Sequence, residues 1–386
     1  MFSKKSRSAV VLSLLLLGAS QVHAAAIDVS QYSITSIDAP NSEGSFGDSI
    51  VTDIQVPNTL LIQEGVHQFG QQEPARILAG AVLRFFTCPG NTTSPQSMNR
   101  HGAIVGWCHT WATEHVEGYY RSESTAWTVL RYPGAILTEA LGVNDAHQVV
   151  GAYIDIQGVC HGFLWQRATN RYVTLDVPFP GATCTVPMAI NNLGEIVGSY
   201  HNPLGQVHGF RRSSSGQWTS VDVPDTFFTM LADVNDAGDV VGAINTWRGT
   251  ESIVIQHGVI KTFQLPIPGV FFTDLTAISN QGHLVGRYQI DITPTWNGEG
   301  DPPPVATLEQ NFVATPLVKL GPDGKPLTSP QPVTASVARV ARRSETKQVG
   351  PPLMLTGCPG DPITPGHVRP TRLAQSWVQC QQGKKR

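Results

Sequence analysis

The feature that most constrains this chain is a phased repeat. Residues 189–200 read AINNLGEIVGSY, and the pattern returns at 98–106 (MNRHGAIVG), 142–153 (GVNDAHQVVGAY), 233–242 (DVNDAGDVVG) and 277–288 (AISNQGHLVGRY). The final glycines of the five copies, Gly106, Gly151, Gly198, Gly242 and Gly286, are spaced by 45, 47, 44 and 44 residues. Six residues before each turn residue (Asn99, Asn144, Asn191, Asn235 and Ser279) stands a threonine: Thr93, Thr138, Thr185, Thr229 and Thr273. Self-similarity at this period marks a repeat architecture, whose units must stack because none can bury both of its faces alone.

Each copy reads as four short strands. The first runs from the threonine to the turn residue, and N-x-x-G is a hairpin signal in which Asn opens the turn and Gly supplies positive φ. The second strand is I-V-G-x-Y, and its internal glycine implies a bulge or the close approach of another backbone. The third begins ten residues after the final glycine with His161-Gly162-Phe163 or His208-Gly209-Phe210, with a degraded copy at Ser252-Ile253-Val254. The fourth ends in proline, as at Pro133, Pro178, Pro224 and Pro266. Four strands in about 45 residues fit a propeller blade. The expected fold is therefore all-β, a β-propeller-like ring of five or six four-stranded repeats, with an open β-solenoid or two smaller sheet domains as alternatives. Residues 32–40 match the fourth-strand pattern but have no first three strands before them, whereas the last copy, from Thr273, lacks a fourth strand and has a delayed third at 311–316. Ile34–Ile37 is thus expected to complete the last sheet and close the ring. Residues 25–316 form the expected repeat domain, with insertions at about 50–90 and 291–309, and 317–386, rich in Pro, Gly, Thr and basic residues, form an irregular tail.

Lys4, Lys5 and Arg7, an apolar run from Ala9 to about Gly18, and small residues at Val22 and Ala24 make the three-part pattern of a secretory signal peptide. The run is shorter than the roughly 20 residues that span a bilayer, and no later stretch reaches that length. Residues 1–24 are expected to be removed, Ala25 or Ala26 being near alternatives for the cut, to leave a secreted or periplasmic protein with no membrane span. Six cysteines in an exported chain suggest disulfides. Neighbour pairing gives Cys88–Cys108, Cys160–Cys184 and Cys358–Cys380, one of 15 possible connectivities. Only 14% of residues are charged and the net charge is −3, which is no nucleic-acid footprint.

The copies resemble the HAF-type extracellular repeat family. The resemblance rests on A-I-N-x-x-G-x-I-V-G-x-Y followed by H-G-F, on the Val-Asp-Val-Pro joint, and on Phe312-Val313-Ala314-Thr315-Pro316; it covers about residues 93–316 and 32–40. It implies an exported bacterial repeat protein and carries over no catalytic residue. The chain departs from the pattern at Glu117-Gly118-Tyr119 and Ser252-Ile253-Val254.

Residues that the repeat itself demands are read as construction. That covers His161, His208, Asp176 and Asp222, which recur in phase, and the Asn144-Asp145 and Asn235-Asp236 turns, which lack the dense alternating carboxylates of a calcium loop. No metal or cofactor is expected. The non-repeated residues Trp107, His109, Trp111, Glu114, His115, Trp247 and Trp296 are the candidate binding residues, suited to stack on a glycan or hold an envelope protein. The leading expectation is a non-enzymatic scaffold for extracytoplasmic binding. The rivals are a glycan-active hydrolase or lyase, which would need two carboxylates about 5–10 Å apart from among Glu114, Glu117, Glu139, Glu195 and Glu251, and a structural envelope or matrix protein. The leader pattern predicts that the exported protein begins at Ala25, which intact mass and N-terminal sequencing check; a retained N-terminal Met1 overturns it.

Overall fold

A computed structural model of the chain describes residues 25–37, 50–55, 59–63, 75–79, 82–88, 92–110, 115–246, 249–291 and 307–317. They form the six four-stranded antiparallel blades of a propeller, of which the fourth and fifth are joined into one sheet by a parallel bridge between Val207 and Phe228. Blade one is β3 (Ile50–Gln55), β4 (Thr59–Gln63), β5 (Ala75–Ala79) and β6 (Val82–Phe86). Blade two is β7 (Thr92–Met98), β8 (Ile104–Thr110), β9 (His115–Arg121) and β10 (Trp127–Leu130). Blade three is β11 (Ala135–Val143), β12 (Gln148–Asp155), β13 (Cys160–Gln166) and β14 (Arg171–Thr174). Blade four is β15 (Cys184–Ile190), β16 (Ile196–His201), β17 (Val207–Arg212) and β18 (Trp218–Val221). Blade five is β19 (Phe228–Val234), β20 (Val240–Thr246), β21 (Gly249–Gln256) and β22 (Val259–Phe263), with β1 (Ala25–Ala26) added in parallel at its edge. Blade six is β23 (Val270–Ile278), β24 (Leu284–Asp291), β25 (Thr307–Pro316) and, from the other end of the chain, β2 (Tyr32–Ile37).

Two expectations on this layout need correction. The stretch at about 50–90 is no insertion: it holds blade one, which escaped the repeat pattern because its residues keep the strand alternation without the Asn turn and the glycine. The interruption placed at 291–309 is shorter, because Asp291 pairs with Thr307 and Gln289 with Glu309 in the β24–β25 ladder. The closing strand is where the pattern put it. Residues 32–37 pair antiparallel with 311–316 as the fourth strand of blade six.

Hydrophobic clusters fill all six interfaces between the blades, with a second cluster between blades three and four and between blades four and five. Phe86 and Leu61 meet Tyr119 and Ile104 between blades one and two; Tyr120 and Leu130 meet Phe163 and Tyr153 between two and three. Val150 and Leu175 meet Phe210 and Ile196 between three and four; Val197 and Val223 meet Leu231 and Ile253 between four and five. Phe263 and Val254 meet Phe312 and Leu275 between five and six, and Val51 and Ile62 meet Val285 and Ala277 between six and one. The last interface also carries Val51 N–H donating to Asn311 Oδ1 at 3.1 Å and Thr276 Oγ1 donating to the Val51 carbonyl at 2.7 Å. The ring is closed, so the open-solenoid alternative falls.

The repeated residues have a common task, which is to tie each blade to the next. Each turn Asn accepts the N–H of the residue four positions on, at 2.9–3.0 Å in Asn99, Asn144, Asn191 and Asn235, and so holds its own hairpin. Its amide then donates to the backbone carbonyl of the equivalent residue one blade later: Asn99 to Asn144 (3.1 Å), Asn144 to Asn191 (3.1 Å), Asn191 to Asn235 (3.0 Å) and Asn235 to Ser279 (3.3 Å). A second chain runs beside it, in which the N–H groups of Arg100, Asp145, Asn192 and Asp236 reach the side chains of Asp145, Asn192, Asp236 and Asn280. These carboxylates are thereby used in blade-to-blade bonds. Gly194 supplies the turn with φ +80°, and His147 holds the same left-handed conformation without glycine's freedom.

Thr93, Thr138, Thr185 and Thr229 each accept an N–H from the incoming connection, those of Cys88, Tyr132, Val177 and Val223. The buried Thr273 hydroxyl has no such partner among the described residues. The last glycine of each copy faces a bulge in the innermost strand, as Gly198 does between Pro187 and Ala189, where a Cβ would run into the Val186 carbonyl. Cys88–Cys108 ties the connection from blade one to blade two, and Cys160–Cys184 staples blade three to blade four. Each loop of roughly 20 residues is worth about 3 kcal/mol in the chain-entropy picture. The expected leader 1–24, the expected tail beyond Leu317 and the expected Cys358–Cys380 pairing lie outside the described residues.

Asn191→Asp keeps the turn acceptor but loses the donor and sets a carboxylate against the Asn235 carbonyl. It is expected to cost about 2–3 kcal/mol, whereas the exposed Asn192→Ala costs less than about 1 kcal/mol; urea denaturation of both variants reads the difference.

Candidate functional site

The antiparallel order gives the ring two unlike ends. The Asn turns share one, the turn end. The blade-to-blade connections and the second-to-third-strand hairpins share the other, the connection end.

An axial cavity of about 110 Å³ is lined by the innermost strands of all six blades. The bulge in each strand adds one residue that re-aims the chain, and the six bulge residues, Thr52, Gln96, Leu141, Met188, Ala232 and Thr276, all line this cavity. The next position is small in four blades (Ser97, Gly142, Ala189 and Ala277) and a buried or half-buried aspartate in blades one and five. Asp53 accepts the N–H groups of Ile54 and Met98, both at 2.6 Å, and the Ser97 hydroxyl at 3.0 Å. Asp233 accepts from Val234 and Ile278, both at 2.8 Å. Each aspartate therefore clasps its own strand to the next blade. Burial pushes the Asp53 carboxyl up to about 6, against the backbone bonds that favour the anion. Burial pushes Asp233 up to about 7, and the neighbouring Asp53 charge adds to it. Arg287 donates to Glu309 at 2.8 Å and to Asp274 at 3.2 Å on the wall of blade six. Glu139, 3% exposed on β11, is pushed up to about 8 by burial alone.

At the connection end the repeated histidines are built in. His161 Nδ1 lies 2.8 Å from Asp176 and Nε2 3.4 Å from Asp155, and its ring stacks on Tyr153. His208 Nδ1 lies 2.7 Å from Asp222, Nε2 lies 3.0 Å from Asn202 Nδ2, and the ring stacks on Tyr200. The same position in blade two is Glu117, paired with Arg131, so the acidic partner moves to the other strand. Strand register corrects the alignment of the degraded copy. Ile253 faces Gly242 as Phe163 faces Gly151, so Glu251-Ser252-Ile253 is the counterpart of His-Gly-Phe, because the hairpin of blade five is one residue shorter. Ser252 there takes over a joint, donating to the Thr273 carbonyl at 2.9 Å and accepting Leu275 N–H at 3.0 Å.

Trp107 is buried, 5% exposed, facing Gly118 and Ser94 across the sheet, which removes it as a contact surface. His109 is half-buried beside Thr92 and Val116. His115 opens β9, but its side chain, like Trp111, Glu114, Trp247 and Trp296, lies outside what is described. Among the described residues the hydrolase acids do not gather. Glu195 sits at the turn end on Arg211, Glu117 and Glu251 lie at the connection end of different blades, with Thr246 donating to Glu251 at 3.0 Å, and Glu139 is buried.

What repeat reasoning missed is a set of exposed apolar side chains. Ile136, Phe227 and Phe271 are 57%, 58% and 56% exposed. Each stands two residues before a repeat threonine, where an innermost strand begins at the connection end. Ile156 and Leu204, 73% and 75% exposed, cap the hairpins of blades three and four at that same end. A groove of about 330 Å³, lined by Glu117, Arg131 and Ile136, continues the surface between blades two and three. The turn end shows two, Leu193 and Val259. The missed signal was phase: an apolar residue two before the threonine in three of five copies.

No protein-family model matches the chain, and no curated protein matches it. Among solved structures, it is similar to TolB from Acinetobacter baumannii, with a TM-score of 0.44 and 11% identity over 70% of this chain and 65% of that one. A putative TolB from Agrobacterium tumefaciens gives 0.40 and 10% over 53% and 76%, and a mutant of AofleA from Arthrobotrys oligospora gives 0.41 and 12% over 73% and 83%. At these scores the propeller assignment stands on the strand pairing itself.

Between the ordinary aspartate range and about pH 6 for Asp53, or about pH 7 for Asp233, burial favours a proton on the carboxyl in the folded ring that the unfolded chain releases. The stability they contribute is full below the ordinary aspartate range near 3.8 and is lost as pH rises through about 6 and 7. The protein is thus expected to be more resistant to urea at pH 5 than at pH 8, and Asp233→Asn is expected to flatten that slope. An unchanged slope in the variant removes the pair as its source.

Proposed function

We propose that this protein is an exported binding scaffold, a six-bladed propeller whose working surface is the connection end, and that its repeat belongs with the HAF-type extracellular repeats. The observation that carries the reading is the asymmetry between the two ends. The turn end is occupied by blade-to-blade hydrogen bonds, whereas the connection end holds Ile136, Ile156, Leu204, Phe227 and Phe271 out to solvent on blades three to six. Apolar surface costs about 25 cal/mol per Å² in water, and gathered patches mark interaction sites. Extracytoplasmic placement is supported by the leader pattern and by the two disulfides, which persist in oxidising compartments. A glycan or an envelope protein is the class of ligand that this surface suits, aromatic and aliphatic side chains flanked by Asp–His pairs.

The test uses the mature chain with Phe227→Ser and Phe271→Ser together, and Leu193→Ser as the turn-end control. Both variants are expected to unfold within about 0.5 kcal/mol of the parent. Binding on glycan arrays and to envelope-protein extracts should fall at least tenfold in the first and stay unchanged in the second. Equal losses in both overturn the placement, and turnover of a glycan abolished by one Asp or Glu substitution overturns the scaffold reading.

A further inference from the structure

The charge of this chain is divided along its length. Residues 25–317 carry twelve Lys and Arg against 26 Asp and Glu, a net of −14, while residues 318–386 carry eleven against three, a net of +8. The acidic share is visible at the connection end, where Glu117, Asp155, Asp176, Asp222, Asp225 and Asp291 face one guanidinium, that of Arg131, among the described residues. The turn end is different: Arg100, Arg121, Arg167, Arg171, Arg211 and Arg212 balance its carboxylates.

We propose that the basic segment 318–386 of the same chain lies on the acidic, apolar connection end, as an intramolecular occupant of the surface assigned above to binding. The proposal rests on that assignment and adds an internal competitor to it. Three features support the match. The signs of the two partners are opposite, and attraction between them acts over about 10 Å at 0.1 M salt. The segment also carries apolar residues, Leu353-Met354-Leu355 and Trp377-Val378, among its cations. Its reach is sufficient. The segment leaves from Leu317, whose N–H donates to the Gln31 carbonyl at 2.8 Å near the turn end. The climb along β25, 10 residues long, is about 33 Å, whereas a free coil of 69 residues (318–386) has an r.m.s. span of about 45 Å. A ligand for the connection end would then have to displace the segment, and its apparent affinity would be weakened by the fraction of molecules in which the surface is covered.

The distribution of lysine makes the test direct. Residues 25–317 contain a single lysine, Lys261, whereas the segment has Lys319, Lys325, Lys347, Lys384 and Lys385. Carbodiimide coupling of lysine to carboxylate in the full mature chain, read by mass spectrometry on a mixture of isotope-labelled and unlabelled protein, reports where those lysines lie. Amides from Lys347, Lys384 or Lys385 to Asp155, Asp176, Asp222 or Asp225 are expected, within single chains. Their yield should fall at least about fivefold between 0.01 M salt, where the Debye length is about 30 Å, and 1 M, where it is about 3 Å. Links spread equally over Asp145 and Asp236 at the turn end, mixed-isotope links between chains, or a yield indifferent to salt each overturn the proposal. None of these results touches the Phe227 and Phe271 comparison, so the two readings fail separately.

Discussion

Blades two to six depend on one hydrogen bond repeated at four successive interfaces: the amide of a turn asparagine donating to the backbone carbonyl of the next turn. A neutral side chain that both accepts and donates is needed, because one end closes its own hairpin while the other reaches the neighbouring blade. Aspartate would supply the acceptor without the donor, and serine, which stands at position 279, supplies only the local half: Ser279 Oγ accepts His283 N–H at 3.0 Å, and the chain of amides ends on its carbonyl. The bonds are buried, so each one left unmade would strand a polar group away from water. A blade is therefore defined by its neighbours as much as by its own ladder.

Much of this architecture was legible in the residues themselves. Phase gave the four-strand unit, glycine within the second strand announced the crowded bulge, and the orphan strand at 32–37 was placed correctly by its lack of companions. Blade one was not legible, because strands such as Val51-Thr52-Asp53-Ile54 satisfy the period-2 alternation of any sheet and carry none of the turn residues that give the other blades their signature. Its identity comes from packing, Val51 and Ile62 against Val285 of blade six. The axial aspartates were missed for a related reason: Asp53 and Asp233 mean little at their own positions and acquire a role only when the ring brings blades one and five to a common axis.

The candidate site was less legible than the fold. Tryptophan drew attention at position 107, but a large aromatic in the second strand of a blade is core before it is surface. The useful pattern was the modest one, an apolar residue where three of the innermost strands begin. Such a residue has no packing task in a blade whose threonine and glycine already fix the joint, which is why its exposure carries information.

The ring closes by joining β2, near the start of the described chain, to β25, near its end, across residues 37 to 311 at the inner limit of the ladder. A polypeptide made from its N-terminus delivers β2 long before its partner. Until Thr307–Pro316 follows, β2 has no sheet, β25's place in blade six is empty, and the edge of β24 is open to any strand in reach. Contacts so distant in sequence form late and slowly. Five blades can assemble in the order in which they are made, but the sixth waits for β25, and an open sheet edge persists for the interval between the first strand and the last.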